Sequence, residues 1–316
     1  GPASGMLKGS GKLFDTVYNV FGDIVVSREM GGLWGNQTLP NGEEVSYGPD
    51  NVLADSDFFF QSFCGAHYEK ANRYGDGIGF VDDSWRCAEE WKISAMFAGT
   101  DVEPNDTMGL ASVVVDIANE VAYTVPALGQ TGYEKLLPMN SGSPNYVVVI
   151  CAGYNHAQEP APLKVYVGRK GLDASGDPVS QDDPTVNERD KFLARNGLLC
   201  GKIYGMAVAE EDYPALGIDT PDPSMKMMDA YMTDPGAAKK FSVRFYPTSY
   251  QWAGWGLSNA IAVKDTEMFR WESEQPDGYV YFNGDTKTEH PAADPDITKF
   301  RYIQNMTQEG GMLAID

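Results

Sequence analysis

Short runs rich in Val, Ile, Tyr and Phe, each closed by Gly, Pro, Asn or Asp, recur along most of this chain, and they constrain its fold more than any other feature. Examples are "DIVVS" (23–27), "FFFQSF" (58–63), "ASVVVDI" (111–117), "VAYTV" (121–125), "NYVVVI" (145–150) and "LKVYVG" (163–168). Later come "GKIYGMAV" (201–208), "KFSVRFY" (240–246), "NAIAVK" (259–264), "GYVYFN" (278–283) and "FRYIQNM" (300–306). Runs this short, with β-branched and aromatic enrichment and breakers at both ends, predict strands. Many of them at fairly regular spacing predict an all-β sandwich, barrel or propeller.

Helical patterns are few. "NERDKFLARNG" reads as a helix around Phe192 and Leu193, with Gly197 as a left-handed terminator. "PSMKMMDAYM" (223–232) reads as a second helix, and segments 171–190 and 284–297 read as long polar loops. Nothing resembling a linker divides the 316 residues, so one domain over 1–316 is expected. As a propeller, with ~40–50 residues to a four-stranded blade, that length accommodates about six blades.

Lys and Arg number 24 against 45 for Asp and Glu, a net charge of −21. A surface so negative repels phosphodiester backbones and anionic membranes, which excludes nucleic acid as an expected partner and leaves a small molecule. It concentrates cations, although surplus acid also serves solubility alone. No run reaches the ~18 apolar residues a membrane-spanning helix requires. Cys64, Cys87, Cys151 and Cys200 are widely spaced, without a CxxC pair, so buried thiols or one or two disulfides are expected rather than structural zinc. The opening "GPASG" looks like a remnant of tag removal; residues 1–5 are therefore set apart, and a secreted or periplasmic protein that has lost its signal peptide is expected.

The motifs of serine hydrolases, zincins, P-loop enzymes and dinucleotide-binding proteins do not occur. Three histidines, His67, His156 and His290, are too few for a histidine-rich zinc centre. Carboxylates are plentiful beside strands, most densely in "GDGIGFVDDSWRCAEEWKI", where Asp82 and Asp83 precede Glu89 and Glu90. Adjacent carboxylates repel unless a cation or proton lies between them, so this run reads either as an oxygen-rich cation site or as a solvated strand edge. Glu134, in "GQTGYEKLLPM", lies between a glycine turn and the apolar run 145–150. It is either a carboxylate at the rim of the core, poised for a metal, or a surface residue on a helical turn paired with Lys135.

In this order, "GFVDDSWRCAEEW", "VPALGQTGYEKLLPMNSGSPNYVVVICAG", "LKVYVGRKG", "RNGLLCGKIYGMAV" and "MFRWESEQPDG" resemble the signature blocks of the PhoX-like alkaline phosphatase family, over roughly residues 60–285. The resemblance implies a β-propeller with short helices in its loops and a calcium and iron cluster at its central mouth. It implies metal-ligand roles for Glu89, Glu90, Glu134 and Glu272, with Cys87 near an iron-ligating cysteine and Asn155 where the phosphatases carry an acidic pair. Arg270 becomes the phosphate-binding cation. The chain departs from the family in "CAGYNHAQEP", which replaces that acidic pair, in "CAEE" for a tighter "CEE", and in its shorter length.

The expected function is hydrolysis of small phosphomonoesters at a carboxylate-bound calcium centre, with or without iron. The alternatives are a calcium-binding propeller without turnover and a calcium-dependent hydrolase of the lactonase or arylesterase type.

Overall fold

A computed structural model describes residues 16–18, 24–27, 35–38, 44–47, 63–89, 112–119, 121–128, 132–154, 163–216, 219, 243–247, 249–252, 270–274, 288–306 and 311–316. Within them the chain is mostly β-sheet with a few short helices, as its breaker-bounded runs predict. The sheets are open, each running from one edge strand to the other without closing.

Four short strands come first: β1 (Thr16–Tyr18), β2 (Ile24–Ser27), β3 (Gly35–Thr38) and β4 (Glu44–Tyr47). β3 and β4 pair with each other. β5 (Phe63–Glu69), β6 (Ser84–Glu89), β7 (Ser112–Asp116) and β8 (Val121–Thr124) join β1 and β2 in a six-stranded sheet ordered β2-β1-β8-β7-β6-β5. Its β1–β8 pair is parallel.

An antiparallel meander of five strands follows: β9 (Gly132–Met139), β10 (Tyr146–Tyr154), β11 (Lys164–Arg169), β12 (Cys200–Val208) and β13 (Val243–Pro247). β14 (Ser249–Trp252) pairs with β15 (Arg270–Glu274). The last sheet is β16 (Thr288–Ala293), β17 (Tyr302–Met306) and β18 (Gly311–Ile315), in that order.

Strand β10 of the meander is covered on both faces, which explains why it reads as a continuous apolar run. Val147, Val149 and Cys151 of β10 enter one core with Tyr133, Tyr166 and Ile203. The intervening Ile150 enters a second core with Leu137, Met206 and Val208. That alternation is the period of two that a pleated strand imposes.

The first core is completed by Phe80, Ala88, Val114 and Tyr123 from the six-stranded sheet side and by Phe192 and Leu193 of helix α1 (Glu188–Arg195). The second is completed by Tyr302, Leu313 and Ile315 of the three-stranded sheet, with Tyr213 of the short helix α2 (Tyr213–Leu216). Each large apolar side chain so buried contributes about 1.5–3 kcal/mol of transfer free energy. Two glycines let the first core close. A Cβ on Gly168 would lie 1.8 Å from the Gly197 carbonyl oxygen, and one on Gly201 would lie 2.3 Å from the Tyr166 ring. Tyr166 therefore lies across both glycines and donates its hydroxyl to that same Gly197 oxygen at 2.9 Å.

Helix α1 is terminated at both ends, its carboxyl end by Gly197 as expected. Asn187 caps its start by accepting from the Asp190 amide at 2.8 Å. At its end Gly197 takes φ +71°, and the Gly197 and Leu198 amides donate back to Ala194 and Leu193. That is the reversed pairing that satisfies the last carbonyls of a helix.

Of the two readings of "GYEKLLPM" the helical turn falls, because the segment is strand β9 and its alternating side chains fill both cores. One expectation is corrected. Segment 284–297, expected to be a loop, contains strand β16. The runs 259–264 and 278–283 and the helix expected at 223–232 lie outside the described residues. No disulfide joins the four cysteines: Cys87 and Cys151 are buried, Cys200 is half-buried and Cys64 exposed. Among the described residues no helix is long and apolar enough to cross a membrane.

Candidate metal centre

Two β-bulges assemble the site. On β9, Tyr133 lies opposite Gly153 and Lys135 opposite Ala152, so Glu134 is an extra residue with no place in the ladder. A bulge of this kind bends its strand and re-aims a side chain that regular pleating would fix. Strand β5 presses against it: a Cβ added to Gly65 would lie 1.3 Å from the Glu134 carbonyl oxygen. Only a residue without a side chain permits that approach.

The second bulge is on β16. Glu289 lies opposite Asn305 and Ala292 opposite Ile303, which leaves His290 and Pro291 facing Gln304 alone. His290 takes the left-handed conformation, φ +50°. In a regular strand Glu289 and His290 would point to opposite faces. The left-handed residue breaks that alternation and turns both toward Glu134. Pro291, which has no amide hydrogen to give a ladder, is tolerated because it sits in the bulge.

Glu134, Glu289 and His290 each present a ligand atom within 4.8 Å of the others. His290 Nε2 is 3.7 Å from Glu134 Oε1 and 4.0 Å from Glu289 Oε2. Both separations are too long for a hydrogen bond. Donors held ~2.0–2.2 Å from one metal ion stand roughly 3.0–3.5 Å apart, so the three close on an ion by shifts below an ångström. Both carboxylates are buried, whereas the His290 side chain is 56% exposed, which leaves one side of the cluster open to solvent. Two carboxylates brought together and withdrawn from water repel each other, which a cation held between them would offset.

Of the residues expected to ligate a metal, the structure brings Glu134 into this cluster. Cys87 is a buried thiol on β6, opposite Ala66 and Val113, and is not a member. The backbones of Glu89 and of Arg270 and Glu272 lie in β6 and β15; their side chains, with all of Glu90 and Asn155, lie outside the described residues. Glu289 and His290 were missed in the sequence because they fall where Pro291 argues against a strand. The available signal was the Glu-His pair itself, two ligand types side by side.

The acidic pair 82–83 resolves as scaffolding. Asp82 Oδ2 accepts from Arg195 Nε at 2.7 Å and from Asn196 Nδ2 at 2.6 Å, and Asp83 Oδ1 accepts from the Ala71 amide at 2.7 Å. These carboxylates fasten the 70–83 loop, and Asp82 ties it to the end of α1. A second buried polar group lies nearby on β5 and β6. Arg86 stacks over Phe80 at 3.8 Å and donates to Ser84 Oγ at 2.8 Å, while Glu69 Oε2 pairs with Arg73 at 3.2 Å. Burial pushes the Arg86 guanidinium down to about 10, against the opposing pull of Glu69. Both groups are enclosed and serve the fold.

Comparison with family models, with curated proteins and with solved structures finds no match for this chain. Fold and site stand on the chain's own residues.

Proposed function

We propose that this protein is a metal-dependent hydrolase of small phosphomonoesters, with one divalent cation held by Glu134, Glu289 and His290. The observation that supports it is the convergence of two buried carboxylates and an exposed imidazole from separate bulges, three protein donors with one open side. Catalytic metal sites keep such an open position, whereas structural ones close it. A bound divalent ion supplies Lewis-acid polarisation of a phosphoryl oxygen.

The chain's own groups do the rest. Glu134 and Glu289 neutralise the ion, and His290 completes the donor set at the solvent side. Arg270 takes the role of substrate-binding cation that the resemblance to the PhoX-like phosphatases implies. An imidazole among the donors suits zinc, manganese or iron better than calcium, which prefers oxygen alone. Iron is thus the member of the expected calcium and iron pair that this donor set fits. The reading also carries the family's propeller arrangement and a secreted or periplasmic location.

A second reading has its own support. Glu134 belongs to the five-stranded sheet and Glu289 and His290 to the three-stranded one, so an ion here also joins two sheets without any turnover.

Elemental analysis of the purified protein, with thermal melts in chelator and in millimolar Zn²⁺, Mn²⁺ and Ca²⁺, tests the centre. A bound divalent metal and a higher melting temperature with it are expected, as for any ligand of the native state. Glu134→Gln, almost unchanged in size, should abolish most of that rise. The metal-loaded protein should cleave p-nitrophenyl phosphate, and Arg270→Ala should slow it ~10²–10³-fold, the usual cost of one preorganised charge-stabilising group. Metal binding without turnover of a phosphoester panel transfers the conclusion to the structural reading. A wild-type melt indifferent to every metal overturns both.

A further inference from the structure

The metal-facing conformation of β16 depends on a residue that is no ligand. Gln304 of β17 is fully buried and is the single residue opposite the two-residue bulge. Its Nε2 donates to the Glu289 carbonyl oxygen at 2.6 Å and to the Asn305 carbonyl oxygen at 3.1 Å. Two carbonyls at one end of the amide fix which end carries the nitrogen, since an oxygen there would face two acceptors. The neighbouring Asn305 donates its Nδ2 to the His290 carbonyl oxygen at 3.3 Å. The carbonyls on both sides of the left-handed His290 Cα are thus held from β17. A non-glycine residue in that region persists only where its surroundings over-determine it.

We propose that Gln304, seconded by Asn305, is a positioning residue for the Glu134–Glu289–His290 centre. Resting on the metal reading above, it assigns to β17 the task of presetting the two β16 ligands before any ion arrives. The arrangement is the backbone counterpart of the outer-shell groups that orient metal-ligating side chains. Besides the Asn305 carbonyl of its own strand, the side-chain amide reaches across the strand gap to the residue preceding the bulge. The Gln304 Oε1 atom is buried without a hydrogen-bond partner among the described residues, so the side chain is kept there for what its nitrogen does.

The test uses Gln304→Met, which keeps length and volume but has no donor, and Asn305→Ala, a milder change at a half-buried position. Affinity for Zn²⁺ is measured by titration calorimetry, the visible spectrum of bound Co²⁺ reports ligand geometry, and the melting temperature is taken in chelator. Gln304→Met should weaken Zn²⁺ binding ~10–100-fold, the range found for outer-shell changes at metal sites. It should also shift the Co²⁺ bands while the metal-free melting temperature stays within a few degrees of wild type. Asn305→Ala should move affinity and spectrum in the same direction by less.

If Zn²⁺ affinity and the Co²⁺ spectrum are those of wild type in both variants, the proposal is overturned while the metal centre stands. Should Gln304→Met fail to fold and Asn305→Ala bind as wild type, it is likewise overturned. Wild-type protein that binds neither ion removes the metal reading and this proposal together.

Discussion

Tyr302 shows how a single atom can work against the fold that holds it. Its ring fills the second core at 1% exposure, and its hydroxyl has no hydrogen-bond partner among the described residues. A buried hydroxyl left unpaired costs about 1–3 kcal/mol, so Tyr302→Phe, which keeps the ring, should leave the melting temperature at pH 7 unchanged or raise it. Burial, with a smaller push from Cys151, raises the phenol well above its ordinary value of 10.0. The sign follows: as pH climbs past that ordinary value the unfolded chain releases the proton and the folded chain keeps it. The stability this linkage gives is complete below about 10 and drains away as pH rises. Melts from pH 7 to pH 11 should show a shallower alkaline decline for Tyr302→Phe than for wild type. A sharp loss at pH 7 would mean that the hydroxyl is bonded after all. Tyr74, raised in the same direction chiefly by burial, supplies alkaline sensitivity that remains in the variant.

At the scale of elements, the metal-bearing parts are places where strands depart from regularity. Gly65 makes the clearest case. Its missing Cβ accommodates the Glu134 carbonyl oxygen, and that neighbour is backbone, unable to swing away. Gly65→Ala should therefore part β5 from β9, lower stability by about 3 kcal/mol, and weaken metal binding. Gly197→Ala offers the comparison. It meets φ +71° and a Val147 methyl at 2.9 Å, so it should cost about 1–2 kcal/mol in the helix terminus and leave metal affinity alone. Thermal melts and Zn²⁺ titrations of the two variants separate these outcomes.

The same contrast explains what could be read from the sequence. Helix α1 was legible because its signals are local: Phe192 and Leu193 within it and Gly197 after it, to which the structure adds the Asn187 cap. The runs at 145–150 and 163–168 were legible as strands because most of their side chains are apolar and buried on covered faces. Glu134 could be singled out from its glycines, but its partners could not. Register between β16 and β17 is set by pairing across the sheet, and Pro291, taken residue by residue, argues for a loop. Bulges are created by two strands together, so neither strand announces one alone.

For the whole molecule, the consequence lies in where the donors originate. Glu134 and His290 lie far apart in sequence, so one ion would close a loop of about 155 residues, long enough to count as a cross-link between distant parts of the chain. Among the described residues the three-stranded sheet packs on the meander through Tyr302, Leu313 and Ile315, contacts that local fraying would release. With the ion in place, that release would also have to break coordination bonds, and the cation would act as a latch on the chain's last sheet. Hydrogen–deuterium exchange should register it directly. Amides of β16, β17 and β18 should slow on adding Zn²⁺ to the wild type, those of β7, which belongs to another sheet, should hardly change, and Glu134→Gln should erase the difference. Equal slowing everywhere, or none, would deny the latch. If it holds, metal supply in the surrounding medium would set how long the three-stranded sheet escapes proteases, so that the chain's lifetime would report the availability of an ion.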